Sequence, residues 1–276
     1  MTKSGVKPRK AYKNMGFLNS PQARALRMLS EFLEPQARFR NAGVRDTIVF
    51  FGSARVKPRS VARADLRNVK QMVAARKQPS KALLSRLEDA QMAFDMSRYY
   101  EETVELARLL TSWSKKLKMS NRFVVCSGGG PGIMEAANKG ASLARGKSIG
   151  MNISLPFEQS SNPYITPDLN FEFHYFFMRK FWFVYLAKAL VVFPGGFGTF
   201  DELLEVLTLR QTHKIKKKMT VVMYGSEYWK KVINFDEMVR HGVISKDDLK
   251  LFKILDTPQD AFKYLRRSLM KNYPTK

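Results

Sequence analysis

One cysteine and three histidines are all that this chain offers a disulfide or a soft metal. Cys126 has no partner for an internal disulfide and no Cys/His spacing matches a zinc site, so a disulfide-stapled domain and a zinc module are excluded. A reducing compartment, the cytoplasm, is expected. Long hydrophobic runs are missing as well. The most apolar stretch, Phe176 to Phe193, is broken by Arg179 and Lys180, and no apolar segment follows the basic N-terminus MTKSGVKPRKAYKNMGF. Neither a membrane span nor secretion is expected. Acidic residues are scarce: 24 Asp and Glu face 48 Lys and Arg, a formal charge of +24. Such a field draws anions, whether nucleotides, nucleic acid or acidic membrane surfaces, without choosing among them.

What is present is enough to build a core. Across 276 residues the chain is 45% hydrophobic and 12% aromatic, which suits one large domain, or one domain with extensions. The basic residues gather in the first 45 positions, in residues 55 to 86, and in the run Lys214, Lys216, Lys217, Lys218. These stretches read first as solvated basic faces, with nucleic acid as the alternative contact.

Residues 1 to about 20 read as a basic tail, and Pro21 to about Arg40 as a helix, from the spacing of Ala25, Leu26, Leu29, Phe32 and Leu33; that helix is expected to be an appendage. Strand signals fall on Thr47 to Phe51, Phe123 to Cys126, Lys147 to Leu155, Leu190 to Phe193 and Met219 to Tyr224. Val61 to about Lys118 is helical, broken at Pro79, with a further helix from Tyr99 to Leu110. Helices are expected after Gly132, from Phe176 to about Lys188, and from Thr199 to Arg210. The helix from Phe176 is apolar nearly all round, which predicts burial on several sides. The last 50 residues read as short helices. Strands alternating with helices predict an α/β fold, a mainly parallel sheet with helices on both faces.

Two glycine loops follow strands and open helices: Gly128, Gly129, Gly130, Pro131, Gly132, and then Pro194, Gly195, Gly196, Phe197, Gly198, Thr199. In a parallel sheet such loops share the crevice at the C-terminal strand ends, where backbone amides at helix starts bind phosphate. Each alone also fits a plain strand-to-helix turn. Neither is a G-x-G-x-x-G fingerprint or a Walker A loop, so dinucleotide redox chemistry and ATP hydrolysis lose ground. Thr199 and Glu202 stand in T-x-x-E spacing, which reads either as a capping box or as a phosphate ligand followed by a carboxylate facing a bound sugar. Arg179 shares a helix face with Tyr175, Trp182, Phe183 and Leu186, so its guanidinium needs an anion, supplied by a ligand phosphate, by Glu202, or by a structural ion pair. His174, His213 and His241 show no metal spacing.

The segments FPGGFGTFDELLEVLTLRQ (193 to 211), MRK (178 to 180) and GGGPGIMEAANKGA (128 to 141), with FFGSAR (50 to 55) and SRYYEETVELARLL (97 to 110), closely resemble the LONELY GUY (LOG) family, the cytokinin riboside 5′-monophosphate phosphoribohydrolases long labelled lysine decarboxylases. The resemblance spans roughly residues 46 to 265. It implies a Rossmann-like domain over 46–276 carrying a helical insert at about 56–95, behind a basic N-terminal extension over 1–45. It implies hydrolysis of the N-glycosidic bond of AMP or N6-prenylated AMP, with Glu202 and Arg179 catalytic. Gly195, Gly196, Gly198 and Thr199 would hold phosphate, and Ser53, Gly129, Gly130, Glu135 and Lys180 would line the nucleotide pocket. No cofactor and no metal are implied, and a homodimer or larger homo-oligomer is. The alternatives are a non-catalytic nucleotide or nucleotide-cofactor carrier, like the related molybdenum cofactor carriers, and a nucleic-acid-associated protein using the basic extensions.

Overall fold

The computed structural model describes residues 8–117, 122–156 and 160–274. Its centre is a seven-stranded sheet of β1 (Thr47–Phe51), β2 (Val124–Ser127), β3 (Ser148–Ile153), β4 (Asn170–Phe173), β5 (Ala187–Val192), β6 (Thr220–Tyr224) and β7 (Lys253–Leu255), in the order β4-β3-β2-β1-β5-β6-β7. Every neighbouring pair is parallel. The order reverses at β1 and β5, which run side by side, and a Rossmann-like sheet of this kind opens its crevice at that switch point.

The helices are α1 (Met15–Leu18), α2 (Arg24–Asn41), α3 (Arg59–Ala74), α4 (Lys81–Met96), α5 (Arg98–Ser114), α6 (Ile133–Leu143), α7 (Phe176–Leu186), α8 (Phe197–Gln211), α9 (Ser226–Val232), α10 (Phe235–Arg240) and α11 (Pro258–Asn272). Central strands are apolar on both faces because both are covered. In β1, Val49 and Phe51 join Trp182 and Phe183 of α7 and Leu203 and Val206 of α8. Ile48 and Phe50 turn to the other side, against Leu106 and Leu110 of α5, Ala136 and Ala137 of α6 and Leu265 of α11. Helices α3 and α4 form a hairpin with its own small core of Leu66, Val69, Leu83 and Ala90, leaning on α5.

The region read as helical from Val61 holds three helices, with breaks around Pro79 and at Ser97 as the pattern predicts. Two expectations change. Helix α2 belongs to the covering layer rather than hanging from it: Phe39 lies in the core, the Trp182 indole donates to Glu31 O at 2.9 Å, and the Glu31 carboxylate accepts from the amides of His174 at 2.7 Å and Tyr175 at 3.3 Å. In the first 20 residues, a turn at Ala11–Lys13 and α1 precede it, while residues 1–7 lie outside the described residues. Finally, α7 is not buried all round. Met178, Trp182 and Phe183 face the core, but Phe177, Phe181 and Tyr185, spaced four apart, stay exposed. Among the described residues no helix is long and apolar enough to cross a membrane.

Candidate active site

Three chain segments meet at the C-terminal ends of β1 and β5 and are sewn together through Ser53. Its amide donates to Pro194 O at 3.0 Å, and its carbonyl accepts from the Ile133 amide at 3.1 Å. Gly132 makes the second link possible: it holds φ +71, and a β-carbon there would run into the backbone of Ser53 and Ala54. The first amide of α6 is therefore spent on the β1 loop.

The crevice so framed has a volume of about 550 Å³. Ser53 and Arg55 form one wall, Gly128, Met134 and Arg179 another, and Gly196, Phe197, Gly198, Thr199 and Glu202 the third. Helix α8 starts at Phe197, with Gly196 as N-cap and no side chain capping it. Its first amides have no acceptor within the helix and open on exposed residues 196 to 198, a ready cradle for phosphate.

Because α8 begins at Phe197, Thr199 and Glu202 both sit inside the helix, which rules out the capping-box reading. Glu202 is only 7% exposed. Among the described residues no group donates a hydrogen bond to its carboxylate. Burial pushes this carboxyl up to about 7, against the pull of Arg179 and then Lys180. Arg179 faces it across the crevice without direct ion-pair contact. Its Nε donates to Met151 O at 2.7 Å and its guanidinium lies 5.0 Å from the centre of the Phe183 ring. Burial lowers its pKa, while Glu202 works in the opposite direction.

Of the residues expected at the site, Ser53, Arg179, Gly196, Gly198, Thr199 and Glu202 converge on this crevice. The others lie behind it. Gly195 is buried and its carbonyl accepts from the Tyr228 hydroxyl at 2.6 Å. Gly129 and Gly130 present their carbonyls to the Asn162 side chain at 2.9 and 3.2 Å. Glu135 accepts from the Tyr100 hydroxyl at 2.6 Å. Lys180 bridges Asp201 at 2.9 Å and Glu205 at 3.1 Å, bracing α7 against α8 on either side of Glu202. Sequence reasoning missed Phe176, Phe197, Arg55 and Met134 as wall residues. Phe197 lay in plain view between two glycines of the loop, and Arg55 closes the FFGSAR segment. Among the described residues no group of three His, Cys, Asp or Glu side chains could hold a metal ion.

Gly128 offers a clean test of the geometry. A β-carbon there would come 2.5 Å from Met134 Sδ and 2.6 Å from Arg179 Nη2, both flexible side-chain ends. Gly128→Ala is expected to leave the unfolding free energy within about 1 kcal/mol of the parent. Turnover of the substrate proposed below should fall about 10²-fold because the guanidinium is displaced. Urea unfolding beside turnover measurements checks it; unchanged turnover would mean that the position of Arg179 is unimportant.

Comparison with known proteins agrees with the motifs. The family model described as possible lysine decarboxylase matches residues 134–265. The pyrimidine/purine nucleotide 5′-monophosphate nucleosidase of Escherichia coli K12 is 26% identical over 163 residues, 52% of this chain and 34% of that protein, so the chain spans about a third of the length of the curated relatives it matches. Among solved structures, the molybdenum cofactor binding protein of Rippkaea orientalis superposes with a TM-score of 0.45 at 16% identity, over 61% of this chain and 86% of that one. The molybdenum cofactor carrier protein of Chlamydomonas reinhardtii does so with a TM-score of 0.46 at 16% identity, over 82% and 99%. The glycine loop ahead of Glu202 lies inside the matched segment, so this part of the chain is similar to the LOG-like family whose model is described as possible lysine decarboxylase.

Proposed function

We propose that the chain hydrolyses the N-glycosidic bond of nucleoside 5′-monophosphates, AMP or N6-prenylated AMP, releasing free base and ribose 5-phosphate. The observation that carries this reading is Glu202: a buried carboxyl at about 7, without a hydrogen-bond donor, in the second turn of a helix whose open amides suit the 5′-phosphate. With phosphate held by the amides of residues 197 to 199, the ribose lies over Glu202. Cleavage sends the bonding electron pair to the base and leaves positive charge on the sugar, which an ionised Glu202 stabilises while taking a proton from the attacking water; that proton then passes to the departing base, which leaves neutral and returns Glu202 to its ionised form. Arg179 opposes the burial of Glu202, keeps part of it ionised near neutrality, and orients the nucleotide. The name of the E. coli relative denotes the same class of bond cleavage, which supports the reading.

Decarboxylation through a Schiff base fits these residues poorly. It needs a lysine whose pKa is pulled down, whereas Lys180, beside the crevice, is paired with two carboxylates that together raise its pKa above the ordinary value.

The test is incubation with AMP, other nucleoside monophosphates and prenylated AMP, following free base and ribose 5-phosphate. Base released in step with ribose 5-phosphate is the expected result. Nucleotide binding without release would replace the hydrolase by a carrier.

Base recognition is expected at the mouth of the crevice, where Phe197 is 97% exposed and Phe176 54%. A ring this open at the crevice mouth suits stacking on a base, worth about 1–3 kcal/mol per contact. Phe197→Ala should raise KM about tenfold and leave kcat nearly unchanged, since stacking holds ground and transition states alike. A fall in kcat alone would assign Phe197 another role.

A further inference from the structure

The sheet has a second concave site at its other end, below the N-terminus of β6, where the chain leaves α8 and α11 crosses. This cavity of about 360 Å³ is walled by Arg210, Lys216, Lys218 and Lys250, and its lining includes Thr220 and Ser268. No carboxylate is among the described residues that line it. Asp247 meets the wall residue Lys250 at 2.7 Å with both side chains largely exposed, an arrangement that screens little of the positive field.

Arg210 is the telling residue. It is partly buried at the C-terminal end of α8, and among the described residues its hydrogen-bond partner is a carbonyl, Leu251 O, rather than an acid. A guanidinium taken from water is ordinarily matched by an anion. Beside it, the hydroxyls of Thr220 and Ser268 lie 2.5 Å apart, with Asn272 donating to Ser268 at 3.3 Å, so neutral donors accompany the charges. Cations of both types with hydroxyls, and no competing carboxylate, form the donor set that phosphate oxygens require.

We propose that this cavity is a second ligand site, taking a small polyphosphate: an inorganic chain or the phosphate chain of a nucleoside polyphosphate. Several cations around one hollow call for a ligand of several charges, and the concave shape favours a compact one over the extended backbone of a nucleic acid. The site is separate from the glycine loops, which lie at the opposite, C-terminal strand ends, and it stands whether or not the chain is a nucleosidase.

The test is calorimetric titration of the full chain with inorganic tripolyphosphate, with adenosine triphosphate and with inorganic phosphate, at two salt concentrations. Arg210→Gln, and the pair Lys216→Glu with Lys218→Glu, are each expected to weaken tripolyphosphate binding by at least about tenfold. A charge-matched control, Arg67→Glu with Lys70→Glu on exposed positions of α3, should change it less than about twofold. AMP binding should survive all of these changes. If tripolyphosphate competes with adenosine triphosphate at the site, both sources are accepted; if it alone binds, the chain is inorganic. Equal weakening by the α3 pair would reduce the effect to net charge and overturn the proposal. So would binding of a single-stranded RNA oligomer that tripolyphosphate does not displace.

Discussion

Glu202→Gln should cost about 10²- to 10⁴-fold in base release, the usual worth of a positioned acid–base group, while AMP still binds. The same substitution should stabilise the fold. In the folded chain burial holds the carboxyl at about 7, against an ordinary value of 4.5. The sign follows from which state keeps its proton. Below about pH 4.5 both states are protonated and the parent resembles the glutamine variant. Between about 4.5 and 7 the unfolded chain loses the proton while the folded one retains it, so the parent loses stability as pH rises. Above about 7 the loss is complete, at roughly 3 kcal/mol. Urea unfolding of both proteins at pH 5 and pH 8 measures it, with the glutamine variant gaining mainly at pH 8. A parent and variant of equal stability at both values would mean that Glu202 is not buried as described, and retained base release would remove it from the chemistry.

The middle of the sheet could be read from the chain because its strands are covered on both faces. Thr47 to Phe51 and Thr220 to Tyr224 are continuous apolar or β-branched runs, which is what a doubly covered parallel strand demands. The edges could not. In β4, Asn170 and Glu172 point to solvent and only Phe171 and Phe173 are buried, while β7 is a three-residue strand with its first residue exposed. A run so short has no period to detect. Helix α7 fails in the opposite way: its composition is apolar on every side, but composition does not say which side another surface covers, and Phe177, Phe181 and Tyr185 stay open.

The site was legible to the degree that helix geometry could be anticipated. Arg179 and Lys180 are adjacent on α7, about 100° apart, so only one of them could face the crevice. Arg179 reaches toward Met151, and Lys180 turns to α8. The ambiguity of Thr199 and Glu202 lay in where α8 starts. Gly-Phe-Gly looks like loop, yet the helix begins at its phenylalanine, moving Thr199 from a capping position into the first turn. The loop at Gly128 to Gly132 reads as a phosphate cradle by composition, but the Ile133 amide is taken by Ser53 and two glycine carbonyls by Asn162. Such long-range partners leave no local mark in the sequence.

Replacing Arg179 by methionine should lower kcat/KM about 10²- to 10³-fold, the scale of losing one preorganised group that meets developing charge. It should also move the pH dependence in a direction that a merely structural role would not produce. In the parent, kcat/KM is expected to rise with pH as Glu202 ionises, with its acidic limb near pH 7. Arg179 is the largest force holding that carboxyl down against burial. Removing the positive charge must therefore raise it and carry the limb to higher pH. Arg179→Lys separates charge from shape. Lysine keeps a cation facing Glu202, so the limb should return toward the parental position. It lacks the planar group that donates through Nε to Met151 O and lies over Phe183, so turnover should not be restored with it. A limb that stays near pH 7 in the methionine variant would show that Glu202 does not feel Arg179, and the pairing at the centre of the proposed mechanism would fall.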